Sequence, residues 1–411
     1  MINMSNNKLY TLNDVSKGKG EYGIGASAVP FAEDKYTYLR ITDINDDGSL
    51  NKKGLMSVDD KDAHKYVLCK NDIVFARTGN STGRSYFYDG TDGTLVYAGF
   101  LIKFSLDEEK VNPRILKYYT HSKPYYDWVK SFDTGGTRGN INAKTYGAMP
   151  ILLPSRNVQD RIVEILKSLD DKIEVNRRIN EQLEELAGAL FKSWFVDFEP
   201  FKDGEFVDSE LGMIPKGWKV GTLSDILYIS KNSVNPSKMP NCIFHHYSIP
   251  AYDNGKREEI QEGNTILSNK FKIDNKTTLF SKLNPRIKRV WFVDDVEDNS
   301  ICSTEFIPYK AKDKDLVYFV NSVLSSDYFY NKIMSIVNGA TGSHQRFHPK
   351  DTLNFIFAYD MEVAKEYNNI VKPIITKILK NQQEIIHLST LRDTLLPKLM
   401  SGEIDVNEVE I

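Results

Sequence analysis

The sequence predicts an α+β (mixed α/β) fold built in duplicate. Two similar globular domains are joined by two long antiparallel helices forming a coiled coil, with a pseudo-twofold internal relation. Two observations carry this prediction. Displacing the 411-residue chain by 205 positions lays its second half on its first. Phe75, Arg77, Tyr86 and Phe87 fall on Phe280, Lys282, Trp291 and Phe292, while Leu101, Ile102 and Phe104 fall on Phe306, Ile307 and Tyr309. That period far exceeds those of solenoids, so the repeated object is a whole domain with its helix. The second observation is a heptad seam in each copy.

The first domain covers residues 1–153. Its opening Lys8–Val15 matches Lys219–Ile226 in the second copy. Residues 36–41, 72–76 and 100–104 read as strands, and a short helix near 113–122 corresponds to 316–325. A long helix fills 154–198, where Ile162, Leu166, Leu169, Ile173, Asn176, Asn180, Leu183, Ala187, Leu190 and Trp194 recur at steps of four and three. Residues 199–215, rich in Pro, Gly and acids, form a linker. The second domain spans 216–360, with strands at 278–280 and 289–293.

The distal helix occupies 361–402, and residues 403–411 form a tail. Its seam reads Tyr367, Val371, Ile374, Ile378, Asn381, Ile385, Leu388, Arg392, Leu395 and Leu399. Arg392 alone breaks the apolar or Asn pattern, though its aliphatic stem can lie along the seam. Pro373 marks either the first turn or a kink, and Pro397 and Gly402 mark the end. The alternating order of domain and helix makes the helices antiparallel if the molecule closes on itself. At 1.5 Å per residue the seam is a ruler of roughly 48 Å. Asn176 and Asn381 hold the same repeat position: buried, they fix register at a cost in stability; at the edge, they are simply solvated.

Composition excludes several classes. Three separated cysteines (Cys69, Cys242, Cys302) offer neither a disulfide framework nor a CxxC pair, so a reducing cytoplasm is expected. The polar start resembles no signal peptide, and no apolar run reaches the roughly 20 residues of a membrane span. A net charge of −3 argues against indiscriminate nucleic-acid binding. The charge is nevertheless uneven. Residues 269–291 carry Lys270, Lys272, Lys276, Lys282, Arg286, Lys288 and Arg289 against Asp274 alone. That stripe is either a solvated face or a DNA-facing one.

Two loop types recur in both copies. Arg77, Thr78, Asn80, Ser81, Thr82 and Arg84, with Gly79 and Gly83, correspond to a loop carrying Lys282, Asn284, Arg286, Lys288 and Arg289. The second pair comprises Thr137, Arg138 and Asn140 among glycines, and Thr341, Ser343, His344, Gln345 and Arg346. Glycine lets backbone N–H groups approach a phosphate, hydroxyls add neutral donors, and arginine forks onto phosphate or guanine. Singly, such loops are ordinary surface turns. Their recurrence at matched positions, with unlike polar residues, favours two readers of unlike sequences.

Catalytic signatures are missing. Gly18–Gly23 fits GxGxxG by letter, but without a preceding buried strand or a following helix it reads as a flexible loop. The sequence holds no Walker-type GxxxxGK[ST] and no Asn-Pro-Pro-aromatic tetrapeptide. His245-His246 lacks a ligand-spaced partner and reads as structural or solvated. Glu108-Glu109-Lys110 reads as a charged loop, not a nuclease site.

Three stretches carry a family resemblance over essentially the whole chain. Leu153–Val163 through Leu190–Phe201, Leu391–Ile404, and Leu211–Trp218 resemble the central region, the distal region and the second-domain lead-in of the specificity (S, HsdS) subunits of Type I restriction-modification systems. The first copy lacks the Ile-Pro-x-Gly-Trp lead-in. The resemblance implies two target-recognition domains, each reading half of a bipartite, asymmetric double-stranded DNA target. It also implies two adenine-N6 methyltransferase subunits bound to the helices and restriction/translocase subunits joining that core. S-adenosylmethionine, ATP and Mg would sit on those partners, no membrane would be involved, and this chain would be non-catalytic. The rival readings are a coiled-coil scaffold without a DNA role, which leaves the matched basic loops unexplained, and a self-sufficient DNA enzyme.

Overall fold

The computed structural model describes residues 7–52, 54–132, 139–337 and 347–409. The chain divides into two compact units, Met1–Glu174 with His387–Ile411, and Val175–Ile386.

In the first unit an antiparallel sheet runs Glu21–Tyr22, Leu101–Ser105, Asp72–Ala76, Ser85–Tyr88. Asp72–Ala76 is buried throughout, as an apolar run without alternation predicts for a strand covered on both faces. Successive side chains therefore enter different cores. Ile73, Phe75, Phe87, Ile102 and Phe104 face a core shared with Ile162, Leu166, Leu396 and Leu399 of the long helices. Val74, Ala76, Tyr86, Tyr88 and Leu101 face another, shared with Leu39 and Tyr97. A second sheet runs Ala28–Val29, Met56–Val58, Tyr36–Leu39, Leu95–Tyr97, its last pairing parallel. Lys8–Thr11 pairs antiparallel with Pro150–Leu153 just before the central helix.

The second unit repeats this plan. Leu227–Ile229, Phe306–Ala311, Thr277–Ser281 and Val290–Val293 form its antiparallel sheet. Phe280, Phe292, Ile307 and Tyr309 enter one core; Leu279, Trp291, Val293 and Phe306 enter the other. Residues matched by the 205 offset thus share faces as well as chemistry. A five-stranded sheet keeps the parallel pairing, Ile243–Tyr247 with Ser300–Cys302. Lys219–Thr222 pairs with Ile356–Tyr359, as Lys8–Thr11 does with Pro150–Leu153. Even the following turn recurs, with Asp14 and Asp225 accepting from the Thr11 and Thr222 N–H groups at 2.7 and 2.8 Å.

The central helix is Arg156–Phe195 and the distal helix Met361–Ser401. Every residue of both seams is buried or half-buried. Asp360 caps the distal helix, accepting from the N–H groups of Glu362 (2.9 Å) and Val363 (3.1 Å). Pro373 therefore lies in the helix interior and not in its first turn, at an exposed position where a freed carbonyl can meet water. Pro397 is also inside the helix. Gly402, at φ +75°, ends it.

Within each unit the helix segments run antiparallel. In the second, Asn381 Nδ2 donates to Asn180 Oδ1 (2.8 Å), Asn180 Nδ2 to the Ile378 carbonyl (3.2 Å), and Tyr367 to the Ala187 carbonyl (3.3 Å). Asn176 and Asn381 are both buried, which decides between the two readings of those positions. Yet Asn381 pairs with Asn180, while Asn176 Nδ2 finds no partner among the described residues. In the first unit Arg392 reaches Asp170 (2.9 Å), and Arg161 donates to the carbonyls of Val406 (3.2 Å) and Val409 (2.6 Å). No helix among the described residues is long and apolar enough to cross a membrane.

Candidate nucleic-acid interface

In the first domain the sheet register pairs Ala76 with Leu101; one step beyond, Arg77 N–H donates to the Phe100 carbonyl (3.0 Å). The chain then turns through Gly79–Ser81 and returns at Gly83. Gly83 has φ +90°, and a Cβ there would lie 2.6 Å from the Val129 side chain, so glycine is required. The second glycine-rich loop reaches this turn. Ile141 N–H donates to the Arg77 carbonyl (2.9 Å), Thr78 bridges Asn140, and the Thr82 hydroxyl lies 3.0 Å from the Gly139 carbonyl. Asn80 is exposed, and Thr78, Ser81 and Thr82 are half-buried. Thr137 and Arg138 lie outside the described residues.

The Arg77 guanidinium stacks 5.0 Å from the Tyr22 ring centroid, its buried Nε without a partner among the described residues. Tyr22 belongs to the stretch that sequence alone suggests is a flexible GxGxxG loop. It is instead a close-packed strand end, where a Cβ on Gly23 would lie 2.3 Å from the Tyr97 and Ala98 carbonyls.

The second domain places Lys282 equivalently, its N–H on the Glu305 carbonyl (2.9 Å). Asn284 sits at φ +48° on an exposed tip beside exposed Arg286. Lys288 pairs with Asp327 (2.8 Å) and lies over the Tyr330 ring. Thr341, Ser343, His344, Gln345 and Arg346 lie outside the described residues.

Although the sequence offers Arg84 and Arg289 as DNA-facing cations, both are drawn onto aspartates. Arg84 bridges Asp46 (2.6 Å) and the Ile44 carbonyl (3.1 Å). Arg289, its side chain 8% exposed, forks onto Asp253 at 2.7 and 2.9 Å. These equivalent pairs brace the loops. The basic stripe of residues 269–291 divides accordingly: Lys270 and Arg289 are buried, whereas Lys272, Lys276 and Arg286 are exposed. Burial lowers the Lys270 pKa. It also lowers that of His246, which bonds to Gln261 (2.9 Å) and serves the sheet. No grouping of metal-ligand side chains occurs among the described residues.

Sequence reasoning missed Tyr22, Phe100, Asp46 and Asp253. It also missed a cluster where the first domain meets its helices. Asp170 accepts from Arg392 (2.9 Å), Lys117 (2.7 Å) and Tyr118 (3.0 Å). Burial pushes this carboxyl up, but Lys117 and Arg392 outweigh it and hold it below its ordinary value. The seam's irregular Arg392 thus takes part in a buried ion pair.

The fold is built twice, with matched turns at equivalent sheet ends. Known proteins agree. Residues 4–185 match the Type I restriction modification DNA specificity domain. The chain is 29% identical over 321 residues to the MjaIX specificity subunit of Methanocaldococcus jannaschii, covering 74% of this chain and 72% of that one. It is 31% identical over 209 residues to the HindI specificity subunit of Haemophilus influenzae, covering 48% and 43%. The crystal structure of the Type I S subunit from M. genitalium shares the fold, with TM-score 0.53 at 16% identity over 97% and 98% of the two chains. The chain is thus similar to specificity subunits of Type I restriction-modification systems, in its first half by family and along nearly its whole length in fold.

Proposed function

We propose that each domain reads one half of a bipartite, asymmetric DNA target and that the helices dock two methyltransferase subunits. The carrying observation is the recurrence of one turn, at one sheet end, with unlike side chains: Arg77 and Asn80 in the first domain, Lys282 and Arg286 in the second. Cations at such tips bind phosphate or guanine, and their differences supply different sequences. The chain itself is non-catalytic in this reading. S-adenosylmethionine, ATP and Mg belong to methyltransferase and translocase partners in the cytoplasm. Methyladenine mapping in a host expressing the complex tests it. Exchanging residues 216–360 for the corresponding domain of a relative is expected to replace one half-sequence and preserve the other. A change in both halves, or in neither, defeats the proposal.

A further inference from the structure

The geometry points to Phe100 as a specificity-determining residue of the first domain that contacts the face of a DNA base; this rests on the proposed DNA-reading function. The sheet register supplies the first argument. Phe75 and Tyr22 both pair with Ile102, and opposed residues share a sheet face. One step beyond these strands, Arg77 N–H donates to the carbonyl of Phe100, which lies in the turn leading into Leu101–Ser105. Phe75 and Ile102 are covered by core, but beyond them the sheet end emerges from it. Phe100 is therefore presented at the same sheet end at which Arg77 lies over the Tyr22 ring.

Exposure and rigidity supply the second argument. Tyr22 is 43% exposed and Phe100 58%, a large aromatic area to leave in water beside a cation. The turn presenting Phe100 is held on several sides: Gly99 N–H donates to the Ile24 carbonyl (2.7 Å), Leu101 N–H to the Ala98 carbonyl (2.8 Å), and Arg77 N–H to Phe100 itself. A Cβ at Gly99 would lie 3.2 Å from the Ile24 carbonyl, so that approach is already tight. A rigid backbone carrying an exposed ring loses little entropy on binding. Aromatic side chains contact nucleic acid by stacking on a base or wedging between base steps, and arginine alongside meets the phosphates.

The duplication supplies the third argument. The position equivalent to Phe100 is Glu305, opposite Lys282 where the first domain has Arg77. A structural requirement shared by both copies would have kept one chemistry. The position is aromatic in one domain and acidic in the other, as expected of one that distinguishes half-sites.

The test uses the full chain assembled with its methyltransferase subunits and the duplex defined by methyladenine mapping. Phe100→Ala is expected to weaken binding roughly 10-fold or more, Phe100→Trp to retain it, and Phe100→Glu to lose it. The Phe100→Ala and Phe100→Glu defects should both vanish on a duplex whose first half-site is scrambled. A 2-aminopurine scan through that half-site should show one position whose fluorescence change on binding disappears in Phe100→Ala. Because the ring is exposed, melting temperature and subunit stoichiometry should match wild type. Binding within twofold of wild type with an unchanged 2-aminopurine profile overturns the inference, as does a defect confined to subunit assembly. A wild-type complex that fails to distinguish the mapped duplex from a scrambled one defeats the DNA-reading function as well, which separates the two failures.

Discussion

The two domains adhere to their long helices by different chemistry. In the first unit Asp170, 12% exposed, gathers Arg392, Lys117 and Tyr118. In the second unit the positions equivalent to Asp170 and Arg392 are Ile375, buried, and Ala187. There an aromatic cluster holds the joint, with Phe195 packed 4.9 Å from Phe319 and 5.2 Å from Tyr367 between ring centroids. Asn368 of the distal helix further caps a domain helix, accepting from the N–H groups of Tyr318 (2.8 Å) and Phe319 (3.1 Å). A buried charge cluster specifies geometry while adding little net stability, because desolvation opposes attraction. Aromatic burial adds stability with looser angular demands. One architecture therefore tolerates either solution at the same place.

The comparison breaks most readily at the aromatic joint. Phe195→Ala is expected to destabilise the second unit by about 3–5 kcal/mol in chemical denaturation, since cavity formation adds to lost transfer energy. Asp170→Ala should cost the first unit about 2–3 kcal/mol, less than a fully buried pair because Lys117 can turn toward water. Hydrogen exchange resolved by residue assigns each loss to its unit.

Acid separates the joints further. The Asp170 pKa is lowered in the fold, so its contribution is complete above its ordinary value near 3.8 and disappears as pH falls through the folded value. His121 adds a component at milder pH. Burial, aided by Arg392 and Lys117 and opposed by Asp47 and Asp393, pushes it from 6.5 down to about 4. The unfolded chain thus takes up this proton first, and stability declines as pH falls from 6.5 toward 4. His121→Gln should flatten that part of the pH profile of denaturation midpoints.

The smallest effect is the sharpest test. Asp170→Ile combined with Arg392→Ala imports the second unit's residues into the first and should leave stability within about 1 kcal/mol of wild type. Non-additivity against the single variants in a double-mutant cycle measures the pair directly. An additive result would remove the ionic joint.

The duplicated pattern made the cores legible: the 205 offset aligned Phe75 with Phe280 and Val74 with Leu279, and those pairs occupy matching cores. The heptad spacing likewise marked residues that are buried or half-buried throughout. Partnership was less legible, because it depends on segments far apart in sequence. Repeat position marked Asn176 and Asn381 as equivalent without naming a partner for either, and antiparallel packing pairs Asn381 with Asn180. Arg84 and Arg289 looked free because Asp46 and Asp253 come from distant turns. Tyr22 and Phe100 escaped notice because a strand pattern does not say where a sheet end emerges from its core.

The central and distal helices also impose an order of folding on a growing chain. The second unit is contiguous from Val175 to Ile386, so all its core residues have been synthesised before the last segment appears. The first unit needs Leu396, Leu399 and Val406 in its core, together with the Val406 and Val409 carbonyls on Arg161. Those residues follow the whole of the second unit in the chain. The first unit therefore begins before the second and is completed after it, holding an unfinished apolar surface while more than 200 intervening residues are added. A released chain truncated after Ile386 should present a complete second unit and a protease-sensitive first one, giving the segment from His387 onward the role of a completion signal for the first unit.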